Sequence, residues 1–446
     1  MKIFKLVSVH FLVAILLLSC SNTPKGNNIK HTTSTQNAKR PPNVVFILSD
    51  DQSWTDYGFM GDKNIETPRL DKFASESLTF QRGYVPTSLC SPSLATIITG
   101  MYPKNHGVLG NDKKLPGDKR EEKKLWRAKN YEAVIKDFQD LTTLPDLLKE
   151  KGYLSFQTGK WWHGNHKIGG FDYGMTHGDP KRGGRHGDYG LEIGRKGMDT
   201  LTSYVDLALK EKKPFFLWYA PFLPHKPHTP PKRLLDKYSK KTDSKYLAKY
   251  WAMCEWFDET CGELFDIIEN KGLTENTLFV YVCDNGWVQN SDNSRSAKNS
   301  KRAPYDLGIR TPIMYKWAGK IEPKMDTETI VSSIDMVPTV LDILNIEKPE
   351  KLQGISVLND KRLAARKAIF GEIYAHDFNT VQTSLFYTMA ISKPYKIIVP
   401  NLKRKRKSKI ELYNIDKDPL EKNNIASSSP EVVANLKQLV EAFRNE

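Results

Sequence analysis

Four apolar segments of this chain each run directly into polar residues that are able to do chemistry. Each begins with a stretch of apolar and aromatic residues that is typical of a buried strand. The segments are Val44–Asp51, Tyr153–Lys160, Phe215–His225 and Leu278–Asn285. Because open α/β sheets bind ligands at the carboxyl ends of their strands, we expect these four polar ends to meet in one pocket.

Helical patterns alternate with these strand patterns between Asn43 and about Leu344. This alternation predicts an α/β fold: a large, mostly parallel sheet sandwiched by helices. The predicted helices are Leu70–Leu78, Leu141–Lys151, Met198–Lys210, Lys245–Asn270 and Ser332–Leu344.

The pattern changes to short strands near Arg366, and it ends in a helix. The predicted elements are the strands Ala368–Ile373, Phe386–Ile391, Tyr395–Val399 and Lys409–Tyr413 and the helix Glu431–Phe443. They predict a small C-terminal antiparallel sheet plus helix. We therefore expect an α/β domain over residues 41–365 and an α+β subdomain over residues 366–446.

The amino end has the composition of an export signal. Lys2 and Lys5 precede the apolar run Leu6–Leu18, which is short for a membrane span. Leu17–Cys20 resembles a bacterial lipobox, which predicts a lipoprotein signal peptide over residues 1–20 and a flexible tether over residues 21–40. We expect an exported protein, periplasmic or at the cell surface, that is held to a membrane by a lipid on Cys20. An ordinary secretory signal is the alternative.

The chain is basic, with a formal net charge of +15. A surface of this sign attracts polyanions over long distances. No zinc-finger spacing, aromatic RNA-binding segment or basic helix is visible, so nucleic acid is not an expected partner. The densest basic run, Lys403–Lys407, is expected in a hairpin turn, where it is a candidate contact for an anionic polymer.

Acidic and amide side chains follow two of the predicted strands. Asp50 and Asp51 are adjacent after the first, and Asp284 and Asn285 follow another. Two neighbouring carboxylates repel each other unless a cation neutralises them. Oxygen ligands without histidine or thiolate favour calcium or magnesium.

Cys90 lies among turn residues at the entrance of a predicted helix, Ser93–Thr99. A helix amino terminus stabilises an anion and lowers the pKa of a thiol, which would suit a nucleophilic cysteine. A thiolate beside an oxygen-ligated cation is an awkward pairing, and residue types alone leave this question open. Lysine and histidine candidates for anion binding and proton transfer are Lys160, His163, His225, His228 and Lys301.

Taken together, these segments resemble the type I, formylglycine-dependent sulfatases of the alkaline phosphatase superfamily. The segments that match the family, in the family's order, are Pro42–Asp51, Cys90–Ser93 with Thr99–Gly100, Gly159–Trp161, Pro224–Pro227, Asp284–Gly286, and Leu412–Asn414 with Asp418–Pro419. A sulfatase hydrolyses sulfuric esters.

The resemblance implies that a maturation enzyme oxidises Cys90 to formylglycine, whose hydrated aldehyde attacks the sulfur of the ester. It also implies a bound calcium ion, with ligands from residue 90 and from Asp50, Asp51, Asp284 and Asn285. An ordinary serine could attack sulfur, but it could not release its own sulfate ester in the same way.

The remaining roles are carried over by position. Lys160 and Lys301 are expected to hold sulfate oxygens, and His225 is expected to protonate the leaving oxygen. His228, in the same run, is the alternative acid and a further substrate contact. The resemblance gives His163 a contact with the diol or the sulfate. Arg185 and His186, in the loop His177–Arg195, are expected to line a pocket for a sulfated glycan.

One position departs from the family signature. Leu94 stands where the family has an arginine that fixes the aldehyde residue and helps the maturation enzyme to recognise its target. Either another cation compensates, for example Lys160 or an arginine of the 165–197 loop, or conversion of Cys90 is inefficient. Two other functions therefore stay open: a phosphate or phosphonate ester hydrolase on the same fold, and a non-catalytic polyanion-binding lipoprotein with unmodified Cys90.

Overall fold

Two sheets flanked by helices form the part of the chain that the computed structural model describes, residues 40–111, 135, 138–179, 186–375 and 380–446. From edge to edge, the strands of the large sheet are β4 (Tyr173–Gly174), β3 (Leu154–Gly159), β5 (Phe215–Ala220), β1 (Asn43–Ser49), β6 (Thr277–Cys283), β7 (Arg310–Lys316), β2 (Leu78–Tyr84) and β8 (Lys324–Ser332). Only β7 runs antiparallel to its neighbours. The predicted α/β fold with a mostly parallel sheet is confirmed.

The register of the central strands brings the predicted polar ends together. β1 pairs in parallel with β5 and β6, and Ser49 lies opposite Cys283. Asp50 and Asp284 therefore leave the sheet at the same level. On the other side, Gly159 lies opposite Ala220, so Lys160 leaves β3 next to the end of β5.

Both faces of the large sheet are covered, as the apolar strands require. Val44, Phe46 and Leu48 point into the core on one face, and Val45 and Ile47 point into the core on the other. All five are essentially inaccessible to solvent, and burial of such side chains stabilises a fold by about 1.5–3 kcal/mol each. The α-helices are Pro68–Ser75, Cys90–Thr99, Pro103–His106, Leu144–Lys149, Asp199–Glu211, Lys232–Tyr238, Lys245–Asn270, Asp306–Ile309, Met336–Ile343, Asp360–Ala364, Val381–Ser384 and Pro430–Asn445.

Four strands of the large sheet were not predicted: β2, β4, β7 and β8. β8 lies at the edge of the sheet and is largely polar, so it lacks an apolar run. The predicted helix Leu70–Leu78 ends instead at Ser75, because Leu78 opens β2.

The small sheet contains four antiparallel strands, in the order β12 (Glu411–Asn414), β11 (Tyr395–Pro400), β10 (Leu385–Ser392) and β9 (Ile369–Tyr374). The helix Pro430–Asn445 packs on it through Leu436 and Val440. This confirms the predicted small antiparallel sheet plus helix, and the basic run lies in the turn between β11 and β12. Residues Arg40–Glu446 form one compact unit, and a domain boundary at residue 366 stays a prediction.

Three free cysteines lie in the buried core. Cys254, Cys261 and Cys283 are buried and unpaired. Within the described residues, we find no helix whose length and apolar content would let it cross a bilayer. The predicted signal peptide, Cys20 and residues 21–39 of the tether lie outside that part of the chain.

Candidate active site

The end of β1 turns sharply at the two adjacent carboxylates. The Asp50 amide donates to the Leu223 carbonyl at 3.0 Å, which continues the sheet by one residue. Asp51 then adopts a left-handed backbone with φ of 64°, a conformation that costs a non-glycine residue about 1 kcal/mol or more. The Asp51 amide donates to Asp284 Oδ1 at 3.2 Å. This turn holds the three carboxylates together.

Two buried lysines neutralise these carboxylates. Lys160 Nζ lies 2.5 Å from Asp50 Oδ1 and 3.0 Å from Asp284 Oδ2. Lys301 Nζ lies 2.5 Å from Asp51 Oδ1 and 3.0 Å from Cys90 Sγ. Burial lowers the pKa of both lysine ammonium groups, but the nearby carboxylates raise it by a larger amount, so the net shift is upward. Both lysines are therefore charged and face residue 90.

Three buried oxygens of this cluster have no hydrogen-bond partner among the residues that the structure describes: Asp50 Oδ2, Asp51 Oδ2 and Asn285 Oδ1. Each aspartate gives its Oδ1 to a lysine, and Asn285 uses its Nδ2 to donate to Asp51 Oδ1 at 2.6 Å. Buried polar atoms almost always have a partner, so three such oxygens indicate a site that can bind a cation. The ligand atoms of Asp50, Asp51, Cys90 and His225 also lie within 4.8 Å of one another.

Electrostatics supports the same conclusion for Asp50. Burial raises the pKa of its carboxyl well above the usual value, Lys160 opposes this, and the neighbouring Asp284 and Asp51 raise it again. A hard divalent cation at the three unpartnered oxygens would stabilise the ionised form. The donor set therefore fits calcium.

Cys90 is the first residue of the helix Cys90–Thr99, which begins three residues earlier than predicted. Its side chain is fully buried. Burial raises the pKa of the thiol to about 12, although Lys160 and Lys301 oppose the shift. The expectation that the helix terminus lowers this pKa is wrong, because desolvation outweighs it. Unmodified Cys90 is a thiol, not a ready nucleophile.

His225 faces the carboxylates from the cis-proline segment after β5. Its Nδ1 donates to the Lys226 carbonyl at 2.5 Å, and its Nε2 lies 3.4 Å from Asp51 Oδ2. Burial lowers the pKa of the imidazole well below its usual value, and Asp51 only partly opposes this. An anion bound beside Nε2 would raise that pKa.

The other predicted histidines lie around this centre. His228 packs 5.5 Å from the Tyr250 ring, and Tyr250 donates to the Asp51 carbonyl. His186 lies against Trp162, with ring centroids 4.5 Å apart. Arg185 lies outside the described residues.

His163 has a different environment. It is fully buried and stacks on Phe138, with ring centroids 3.9 Å apart. Neither of its ring nitrogens has a hydrogen-bond partner, and burial lowers the pKa of the imidazole to about 3. None of the contacts described above between Cys90, the carboxylates and the lysines includes His163, so its predicted contact with the diol or the sulfate stays a prediction.

Sequence reasoning missed the residues that support and border the site. Phe222 stacks on His225 at 4.2 Å, and Arg195 donates to the carbonyls of both residues. Trp287 lies under the ammonium groups of Lys226 and Lys301, 5.3 and 5.8 Å from its ring centroid. Asn111 Oδ1 accepts from the Ser91 amide at 2.9 Å. Trp287 could have been suspected because it follows Asp284–Gly286 directly.

Position 94 carries no charge into the site. Leu94 is buried in the main core cluster. The cation that touches Cys90 Sγ is Lys301, from the loop before the helix Asp306–Ile309.

Comparison with known families decides which chemistry this arrangement serves. Residues 42–346 match the sulfatase family, and residues 298–446 match the family described as N-sulphoglucosamine sulphohydrolase, C-terminal. The chain belongs to the sulfatase family. It is thus a type I sulfatase of the alkaline phosphatase superfamily, and an enzyme that hydrolyses sulfuric esters, as the resemblance predicts.

Relatives of this sulfatase carry names of carbohydrate enzymes. An ulvan-active sulfatase of Formosa agariphila is 25% identical over 79% of this chain and 70% of its own length. An N-acetylgalactosamine-6-O-sulfatase of Bacteroides thetaiotaomicron is 24% identical over 92% of this chain and 94% of its own. Among solved structures, Ps i-CgsB in complex with k-i-k-neocarrahexaose is 22% identical, covers 91% of this chain and 93% of its own, and has a TM-score of 0.71. That structure shares the fold.

Proposed function

We propose that this sulfatase removes sulfate groups from a sulfated glycan, with formylglycine derived from Cys90 and a bound calcium ion. The observation that carries the proposal is the set of three buried, unpartnered oxygens beside Cys90, bordered by two charged lysines. A structural ion cluster would satisfy such oxygens internally. A site that binds a cation and an anionic substrate needs them free.

Each residue of the cluster has a role that its position supports. Asp50, Asp51 and Asn285 would hold calcium through their unpartnered oxygens, together with residue 90 and Asp284. Calcium would supply positive charge that favours a bound anion at the reacting centre. Formylglycine at residue 90 would supply a hydroxyl nucleophile that is regenerated after each turnover.

The cationic side chains act on the sulfate itself. Lys160 and Lys301 point ammonium groups at the space beside residue 90, where they can hold sulfate oxygens and stabilise the charge that develops on them. His225 Nε2, with Nδ1 fixed by the Lys226 carbonyl, is oriented to give a proton to the leaving oxygen. In water-poor surroundings, these fixed groups need little reorganisation during the reaction.

Support for a glycan substrate comes from the relatives and from the aromatic border of the site. The relatives are named for ulvan and N-acetylgalactosamine sulfates. At this border His186 is a half-buried ring against which a sugar can pack, whereas Phe222 and Trp287 are buried and support His225 and Lys226.

The test compares matched esters under identical conditions. A panel of sulfated oligosaccharides, together with an aryl sulfate and the same aryl phosphate, is incubated with protein made alongside a formylglycine-generating enzyme. We expect release of inorganic sulfate from at least one oligosaccharide and a clear preference for the aryl sulfate. Preference for the phosphate would favour the phosphate or phosphonate hydrolase. Absence of all turnover in protein that carries the aldehyde would sink the proposal.

We also propose that the protein is an exported lipoprotein, anchored through Cys20 at the periplasmic or outer cell surface. The support is the Leu17–Cys20 pattern after a short apolar run. Incorporation of labelled palmitate that is lost in Cys20→Ala would agree with the anchor. Equal membrane association of both proteins would contradict it.

A further inference from the structure

The turn between β11 and β12 is strongly basic, and the hydrolytic chemistry does not use it. The exposed cations are Lys403, Arg404, Arg406, Lys407 and Lys409, and Lys405 is half-buried. Lys405 is the anchored member of the run: its ammonium lies 4.0 Å from the centre of the Phe386 ring. Like charges at this density repel one another, so such a turn is stabilised by a polyanion.

Three other cations of the run have no ion-pair partner among the described residues. Lys403, Arg406 and Lys407 are exposed, and among the described residues none of them forms an ion pair. Their charges are therefore free to bind an anion from solution, whereas both lysines of the helix Lys232–Tyr238 are paired with acids.

The stems of this turn connect it to the catalytic residues. On the β11 side, the Asn401 backbone amide donates to the Phe386 carbonyl at 2.8 Å. The adjacent Leu385 packs with Leu109. Leu109 is two residues before Asn111, which accepts from the amide next to Cys90.

The β12 side makes a second connection. Glu411 Oε2 accepts from Tyr305 at 3.1 Å, and Tyr305 lies four residues after Lys301. The β12 stem thus contacts the segment that carries Lys301, and the β11 stem connects through Leu385 and Leu109 to the segment that carries Asn111.

We propose that the turn Lys403–Lys407 is an accessory binding site for a polyanionic glycan, which holds sulfated units of the chain that lie outside the catalytic pocket. The inference rests on the proposed glycan sulfatase activity and deepens it. An anionic membrane is the competing partner for such a turn. The turn offers a bilayer little apolar surface, because Leu402 is its only large apolar side chain that is well exposed.

The test uses a triple variant, Lys403→Gln, Arg406→Gln and Lys407→Gln, which keeps the packed Lys405. A matched control, Lys63→Gln, Lys210→Gln and Lys240→Gln, removes the same charge from other exposed positions. Dextran sulfate serves as the polyanion, neutral dextran as the uncharged polymer, and 4-nitrocatechol sulfate as the small ester. Anionic vesicles of phosphatidylcholine and phosphatidylglycerol test the membrane.

We expect the triple variant to bind dextran sulfate about tenfold more weakly than the wild type, with a shallower dependence on salt. Its hydrolysis of 4-nitrocatechol sulfate should be unchanged, and the control variant should resemble the wild type in both assays. Dextran sulfate should inhibit the wild type more strongly than the triple variant, whereas inorganic sulfate should inhibit both equally.

Three results would overturn the inference: unchanged dextran sulfate binding in the triple variant, an equal loss in the control variant, or loss of vesicle binding alone. Failure of the wild type to hydrolyse any sulfate ester would instead contradict the proposed function, and the binding comparison would still decide the role of the turn.

Discussion

Two buried ion clusters in this sulfatase contain the same kinds of side chain but differ in how completely they are paired. In the first, Lys396 lies between Asp306 and Glu421, with Nζ 2.8 and 2.7 Å from their oxygens. Tyr84 reaches the second Asp306 oxygen at 3.1 Å, and the Asp306 amide reaches the second Glu421 oxygen at 2.5 Å. Every carboxylate oxygen of this cluster lies within 3.1 Å of a nitrogen or hydroxyl group, and Glu421 Oε1 meets Lys396 as an ion pair without hydrogen-bond geometry.

The second cluster, which lies beside Cys90 and is called the catalytic cluster here, is less completely paired. Three acids face two lysines, and Asp50, Asp51 and Asn285 each keep one buried oxygen without a partner. The saturated cluster joins the small sheet to the helix Asp306–Ile309, so it serves the fold. The catalytic cluster keeps oxygens that can bind a cation, and we expect it to be fully paired only when a cation and an anionic substrate are bound.

Of the changes that distinguish the two clusters, Cys90→Ala is expected to have the largest effect on turnover. Cys90→Ala removes the precursor of the nucleophile, so turnover should fall by at least about a thousandfold. The melting temperature should fall by only about 2–4 °C, because one small buried side chain is truncated. Steady-state rates and thermal unfolding measure the two effects. Retained turnover would contradict the covalent mechanism.

Calcium removal should affect the catalytic cluster alone. Dialysis against EGTA should abolish turnover, and calcium at a hundred times its dissociation constant should stabilise the protein by about 2.7 kcal/mol. Because the pKa of Asp50 is raised, binding should release a proton and tighten as the pH rises. Calorimetry in buffers of different ionisation enthalpy measures that proton. Full activity in EGTA would exclude the metal role.

Lys396→Met tests the saturated cluster. Two buried carboxylates would lose their cation, so we expect a loss of roughly 3–5 kcal/mol in the free energy of unfolding. Turnover per folded molecule should be retained. The matched variant Lys160→Met should lose about a hundredfold or more in turnover. Denaturant unfolding measures the loss of stability, and rates per folded molecule measure the loss of turnover. A loss of turnover in Lys396→Met with retained turnover in Lys160→Met would contradict the assigned roles.

A smaller effect is expected from Glu372, a buried carboxyl outside both clusters. Burial raises its pKa to about 7, although Tyr374 and Lys104 oppose the shift. A carboxyl whose pKa is raised in the folded protein stabilises the fold at low pH. This contribution is lost as the pH rises from about 4.5, the ordinary pKa of a glutamate, through about 7, the raised pKa of Glu372. The sign therefore predicts decreasing stability over that interval.

Glu372→Gln should remove this pH dependence. Between pH 4.5 and 7.5, the wild type should lose up to roughly 3 kcal/mol relative to the variant. Urea unfolding at both pH values measures the difference. Parallel behaviour of the two proteins would show that Glu372 does not titrate in this range.

The same contrast explains what could be predicted from the sequence. Apolar runs identified β1, β3, β5 and β6, and parallel pairing then brought their polar ends together. β7 was missed because its apolar run, Pro312–Tyr315, is short and begins with a proline, and β8 was missed because it is largely polar. The saturated cluster gave no signal, because Lys396 and Asp306 meet only through the contact between the small sheet and the large one.

Side-chain environments were the least predictable part of the site. The stacking of His163 on Phe138 depends on how two distant segments pack. The pKa of Cys90 depends on how deeply the helix terminus is buried. Both are properties of the completed core, which local residue patterns do not encode.

The proposed function requires that residue 90 of the matured enzyme is an aldehyde, although Leu94 stands in the place of the signature arginine. The most direct measurement is mass spectrometry of the tryptic peptide Gly83–Lys104, from protein produced together with a formylglycine-generating enzyme. We predict that position 90 is formylglycine in the active protein. A fully retained thiol at position 90, in protein that hydrolyses sulfate esters, would contradict the account.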